Sequence, residues 1–252
     1  MNGLKVSFCA AVLMLALTGC GSSENASDSQ TIKVFAAASL KKSFTEIAEQ
    51  LETENPGITV EFNFAGSSDL VTQLTQGAQA DVLASADAKN MDKAVNAGLV
   101  EGDPVNFASN TLTIAVAPGN PKQIRSFQDL MKAGLNVVVC APQVPCGSAT
   151  QNIEEATGAQ LAPVSEESSV TDVLNKVTTG QADAGVVYVT DAMGAGDKVD
   201  SVAFPESADA VNTYPIAALK TAGSAELART FINAVTGEAG QQTLSAAGFA
   251  KP

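Results

Sequence analysis

The chain has 252 residues, 45% of them hydrophobic, which is enough for one large or two medium domains with real cores. Its 14 basic residues face 27 acidic ones, a formal charge of -13 that repels anions at long range and makes a polyphosphate backbone an unfavourable partner, so no nucleic acid is expected. Histidine is absent, which excludes a histidine general base, a Ser-His-Asp triad and histidine-rich metal sites.

Met1 to Lys5 form a short basic start, Val6 to Leu17 an apolar run, and Leu17-Thr18-Gly19-Cys20 follows. A run this short ending on small residues reads as a secretion signal over 1–19 and not as a membrane span. Leu-Thr-Gly-Cys resembles the bacterial lipobox, which implies cleavage before Cys20 and a lipid anchor on its thiol. The small polar residues 20–30 read as a flexible tether from a membrane surface to the folded body. Cys140 and Cys146 are then the cysteines left outside the signal and the anchor. Outside the cytoplasm this pair, flanking a proline-rich turn, predicts a small-loop disulfide; a two-thiolate metal site and a redox pair are the rivals.

From Thr31 the chain alternates strands and helices. Thr31–Ala36 is an apolar strand, and Leu40, Phe44, Ile47, Ala48 and Leu51 then recur at helical spacing. Asn55-Pro56-Gly57 breaks the pattern, Ile58 to Phe64 alternates as a strand, and a helix with Leu70, Val71 and Leu74 follows Ser67. Further strands are predicted over 81–85, 111–117, 136–140, 185–189, 199–204 and 214–219. Helices are predicted over 91–97, from the capping box at Ser126, over 148–156, from Ser169, and over 224–235 and 237–247. This rhythm predicts an α/β fold with mostly parallel sheets. Two sheets are expected: 31–112 with 218–252 as the first domain, and 113–217 as the second.

One junction recurs. An apolar strand ends on small or hydroxyl residues just where a helix begins, at Val34 to Leu40, at Phe62 to Ser68, and more loosely at Val144 to Ser148 and Val186 to Thr190. Each such junction aims unpaired backbone N–H groups and a helix dipole at one spot, an anion site without charged side chains. Taken singly, Ser39 is also read as an ordinary helix N-cap, Tyr188 as a core aromatic, and Lys41 and Lys42 as a solvated helix face.

Ile32 to Leu40, the Phe64-Ala65-Gly66-Ser67-Ser68 turn, Ala80 to Asp87 and Gly185 to Ala192 together resemble the periplasmic molybdate-binding proteins of bacterial ABC transporters. The resemblance runs from about Thr31 to Phe249. It implies a type II periplasmic-binding-protein fold: a monomeric, non-enzymatic receptor of two domains that closes on molybdate or tungstate and presents the ion to a membrane permease. It assigns hydroxyl and amide donors to Ser39 and Ser67, backbone amides to Cys146 and Val170, and the phenol to Tyr188. Cys146 stands where the family often has alanine, which leaves the loop's shape more open than its chemistry. No cofactor is implied, and molybdenum would enter only within its oxyanion, with no protein atom on the metal. Tyr214, before Pro215, is placed near the return crossover and outside the ligand set.

A site of donors alone suits a fully deprotonated oxyanion such as molybdate, tungstate or sulfate. A phosphate receptor would want a carboxylate acceptor; Asp69, Asp172 and Asp191 are the candidates, and all three also read as first-turn helix residues. A sulfate receptor, an iron receptor and a secreted enzyme stay as alternatives. Tyr188 and Tyr214 without histidine are a poor iron set, and no nucleophile-and-base motif is present.

Overall fold

The computed structural model describes residues 30–252; the signal segment, Cys20 and the tether up to Ser29 lie outside the described residues. In chain order the first unit runs β1 (Gln30–Ala37), α1 (Lys41–Glu54), β2 (Ile58–Ala65), α2 (Ser67–Thr75), β3 (Val82–Ala84), α3 (Ala88–Asn96) and β4 (Val100–Asn110). The second holds β5 (Leu112–Val116), β6 (Val137–Cys140), α4 (Pro145–Thr157), β7 (Ser165–Glu167), α5 (Val170–Thr178), β8 (Ala184–Tyr188), α6 (Val189–Ala195) and β9 (Asp200–Val202). The chain then returns through β10 (Asn212–Leu219), α7 (Ala225–Thr236) and α8 (Glu238–Ala246).

Two five-stranded sheets result, ordered β2-β1-β3-β10-β4 and β7-β6-β8-β5-β9. Their mainly parallel character holds only for β2-β1-β3 and β7-β6-β8; β10 and β4, and likewise β5 and β9, join antiparallel. The exceptions have a physical origin: β5 and β10, each the first strand after the chain passes between units, enter their sheets from the opposite end, and β9 and β4 beside them run with the remaining strands. The chain first passes from one sheet to the other at Thr111, between β4 and β5. The second passage falls in residues 203–211 and not near 217, because β10 pairs from Asn212 to Leu219 with β4 and is fixed in the first sheet.

Buried positions follow the periods that the sequence predicts. Phe44, Ile47, Ala48 and Leu51 form the inner stripe of α1, where Phe44 meets Phe231 of α7 edge-on with ring centroids 5.5 Å apart. In the second unit β5, β6 and β8 are buried along their whole length, as strands covered by helices on both faces must be. Strand β4 escapes a sequence reading because it is an edge strand with a polar first half, where Pro104 costs no ladder bond. The helix expected from Ser126 is only a 3-10 turn, Gln128–Met131, although its capping contacts form: Asp129 N–H donates to Ser126 Oγ at 3.3 Å and Arg125 N–H to Asp129 at 2.8 Å.

Candidate functional site

Five helix starts meet between the two units. Ser39 lies in the 3-10 turn Ala38–Leu40 that prefaces α1, Ser67 opens α2, Cys146 is the second residue of α4, Val170 opens α5, and Tyr188 is the N-cap of α6. The first N–H groups of a helix have no partner within it, so these turns present main-chain donors and positive dipole ends to a common point. Helix α4 begins at Pro145 rather than Ser148; proline suits a first turn, where its missing N–H would be unpaired anyway.

All five residues predicted from sequence line one narrow cleft of about 10 Å³. Ala37, Ala38, Gly66, Ala86, Val144 and Pro145 complete its wall, and no charged side chain is among them. Ser67 is buried, and its hydroxyl accepts the Ala86 N–H at 3.0 Å, which leaves its own hydrogen free to donate elsewhere. Tyr188 is 1% exposed, and its phenol oxygen is buried without a hydrogen-bond partner, a costly arrangement for a protein to keep unless something accepts that hydrogen. Burial pushes the Tyr188 phenol well above its ordinary value, so it remains a donor. The Ser68 hydroxyl is also buried and unpartnered, but it stands outside the lining.

Local chemistry explains how the walls are held. Cys140 and Cys146 form a disulfide with Cα atoms 5.7 Å apart, which ties the end of β6 to the first turn of α4. Gly147 packs so closely on the Ala141 carbonyl that no side chain would fit there. Across the cleft, a Cβ on Gly66 would overlap the Ser168 carbonyl oxygen and lie 3.5 Å from Val144 Cγ1, so the two walls approach closely because residue 66 is glycine. Asn90 Nδ2 donates to the Gln143 carbonyl at 3.4 Å beside this contact.

None of the three acidic candidates reaches the cleft lining. Asp172 accepts the Ser169 hydroxyl at 2.7 Å, and Asp191 accepts the Tyr188 N–H at 3.1 Å, the first-turn roles expected of them. Burial pushes the Asp191 carboxyl up to about 7, the bond from Tyr188 N–H acting the other way. Lys41 and Lys42 are exposed, as a solvated face should be. They border a wider groove of about 690 Å³ beside Ser39, whose rim also carries Glu46, Glu49 and Asp191 and so opposes an anion. Sequence reasoning missed Tyr214. It is fully buried, its hydroxyl lies 3.1 Å from Ser39 Oγ, and its ring meets that of Tyr188 at 5.9 Å. Its only sequence signal was its position before the crossover-flanking Pro215.

Residues 32–250 match the model of the bacterial extracellular solute-binding protein family, and the chain belongs to that family. Its members are solute-binding proteins and not enzymes. Within it, the chain is 57% identical to the molybdate-binding protein ModA of Mycobacterium tuberculosis over 257 residues, covering 99% of this chain and 98% of that one. Among solved structures it resembles the periplasmic molybdate-binding protein of Azotobacter vinelandii, with a TM-score of 0.77 at 22% identity over 88% of this chain and 99% of that one. The sulfate-binding protein SubI of M. tuberculosis matches with the same TM-score of 0.77, at 20% identity over 88% and 87%. The fold is that of the type II periplasmic binding proteins.

Proposed function

We propose that this chain is the molybdate receptor of an ABC importer and that the cleft is its anion site, held by donors from Ser39, Ser67, Cys146, Val170 and Tyr188. The observation that carries this reading is the unpartnered Tyr188 phenol aimed into a buried cleft of helix starts with no charged group in its lining. Such a set gives only hydrogens, so it fits a tetrahedral dianion without protons of its own. Molybdate is favoured by the 57% identical relative named for it. Tungstate, with the same shape and charge, is taken as well. Sulfate is the second reading, since the same donors serve it and only the cavity's size would tell the two apart.

Two crossovers join the units, at Thr111 and in residues 203–211, and they form the hinge about which the cleft opens and closes. The domains in this reading are the sheet-defined units 30–110 with 212–252, and 112–202. Cys20 carries a lipid that keeps the receptor at the outer face of the membrane, where it hands the ion to its permease. Calorimetric titration of the mature protein with molybdate, tungstate, sulfate and phosphate tests the assignment. Molybdate and tungstate should bind well below millimolar concentration, sulfate more weakly and phosphate weakest. Submillimolar binding of none of the four would end the receptor reading, and a preference for sulfate would replace molybdate in it.

A further inference from the structure

The hydroxyl of Ser39 can point its hydrogen in several directions, and the residues behind it decide which one. Its partner behind the cleft is the Tyr214 hydroxyl, 175 residues away in sequence and 3.1 Å away in space. Tyr214 packs edge-on against three aromatics, Phe107 at 6.3 Å, Tyr188 at 5.9 Å and Phe249 at 5.4 Å, which restrict its ring. Behind Tyr214 stands Asn110, the last residue of β4. Its Oδ1 accepts the Thr111 N–H at 3.0 Å, which turns its amide nitrogen toward Thr190 Oγ1 at 2.8 Å and the Tyr214 oxygen at 3.5 Å.

Proton counting fixes the first link of this chain and favours one direction for the second. Asn110 Nδ2 can only donate, so the Tyr214 oxygen accepts there and its own hydrogen is available to Ser39 Oγ, a contact in which either oxygen could donate. When Tyr214 gives that hydrogen, Ser39 Oγ accepts on that side and its single hydrogen is left for the cleft. We propose that Tyr214 is a positioning residue, which fixes the Ser39 hydroxyl as a donor toward the anion and so disfavours oxyanions that carry a proton. A serine hydroxyl free to rotate could accept a hydrogen from a protonated oxyanion; one held by Tyr214 meets that hydrogen with its own. Burial holds the Tyr214 phenol well above its ordinary range, so the donor survives at any working pH. The network also reaches the second unit through Thr190 at the start of α6, so Ser39 takes its final direction where the two units join.

This inference rests on the anion-site reading above, and a double-mutant cycle separates the two. Molybdate affinity is measured by calorimetry for wild type, Tyr214→Phe, Ser39→Ala and the double variant. Tyr214→Phe keeps the ring contacts and removes one hydroxyl, so it should fold with a thermal midpoint close to wild type. Expected is a roughly fivefold to tenfold loss of molybdate affinity in Tyr214→Phe, and less than about a twofold further loss when the same change is made in Ser39→Ala. Competition with inorganic phosphate, which keeps a proton near neutral pH, should show the molybdate-to-phosphate preference falling by at least about fivefold in Tyr214→Phe. Equal losses in both backgrounds, or an unchanged preference, would reduce Tyr214 to packing and overturn the proposal. Failure of wild type to bind any of the four oxyanions would instead retire the anion-site reading itself.

Discussion

Gly66 offers a direct test of closure, because its constraint comes from the opposite wall and not from its own backbone. Its φ of -61 and ψ of 140 suit any residue, so Gly66→Ala does not strain the chain locally. The added methyl, however, would sit about 1 Å closer to the Ser168 carbonyl oxygen than a Cβ tolerates, with the Ser168 carbonyl carbon at 3.3 Å just behind it. Both partners are main chain on rigid turns, so the overlap is relieved by moving the walls apart. A shift of about 1 Å takes a hydrogen bond of ~2.9 Å to ~3.9 Å, beyond useful range. Three proposed donors sit on the second wall: the Cys146 and Val170 amides and the Tyr188 phenol. Weakening them together by the equivalent of one or two bonds to a charged acceptor costs about 3 kcal/mol, or roughly a hundredfold in Kd. In the absence of ligand the variant should lose no more than about 1 kcal/mol, the usual difference between glycine and alanine at an N-cap. Calorimetry for affinity and denaturant unfolding for stability read the two quantities separately. A Gly66→Ala protein that binds molybdate as tightly as wild type would refute the argument that cleft closure depends on this contact.

Ser39→Ala and Ser67→Ala should each weaken molybdate binding by about 1–3 kcal/mol, since each leaves anion oxygens poorly paired; titrations that find both unchanged place the site elsewhere. Replacing Cys140 and Cys146 together by serine should lower unfolding stability by about 2 kcal/mol, the chain-entropy value for so short a loop. An unmoved denaturation midpoint would show that the Pro145 turn keeps its shape unaided. Asp191 gives a pH signature. Its folded carboxyl holds a proton up to about pH 7 whereas the unfolded one releases it near 3.8, so wild-type stability falls as pH rises through that window and levels off above it. Asp191→Asn, which can still accept the Tyr188 N–H, should gain on wild type across pH 4–7; parallel stability curves for the two proteins would contradict the raised pKa.

How much of this was legible in the sequence depends on the range of the interaction. The strand-to-helix junctions are local, written in runs such as Val34 to Leu40, and from them Ser39, Ser67, Cys146 and Tyr188 could be chosen before any contact was known. Val170 was different, because a valine at a helix start reads as core, and it is indeed only 3% exposed. It was found through family resemblance alone. The Tyr214 contact with Ser39 spans 175 residues and no local pattern encodes it. The strand over 214–219 is legible, but the sheet it joins is not: β10 pairs with β4 from Asn212 onward, a contact about a hundred residues away in sequence, with a register shift between Tyr214 and Pro215. Strand β4 was hidden by Glu101, Gly102, Asp103 and Pro104, residues an edge position tolerates and an interior strand does not.

Recognition through main-chain hydrogens separates what a residue is from what it does. In the proposed site Cys146 and Val170 give the cleft an amide that every amino acid except proline possesses, while their side chains, 2% and 3% exposed, answer to the core behind it. A scan that trims side chains would therefore record both positions as packing and miss the part proposed for them in the site. The letters there are free to change with the core, as the disulfide-bonded Cys146 illustrates, without altering the hydrogen offered to the ion. Specificity of this kind is stored in the course of the backbone, and only a change that removes an N–H or redirects a turn can erase it.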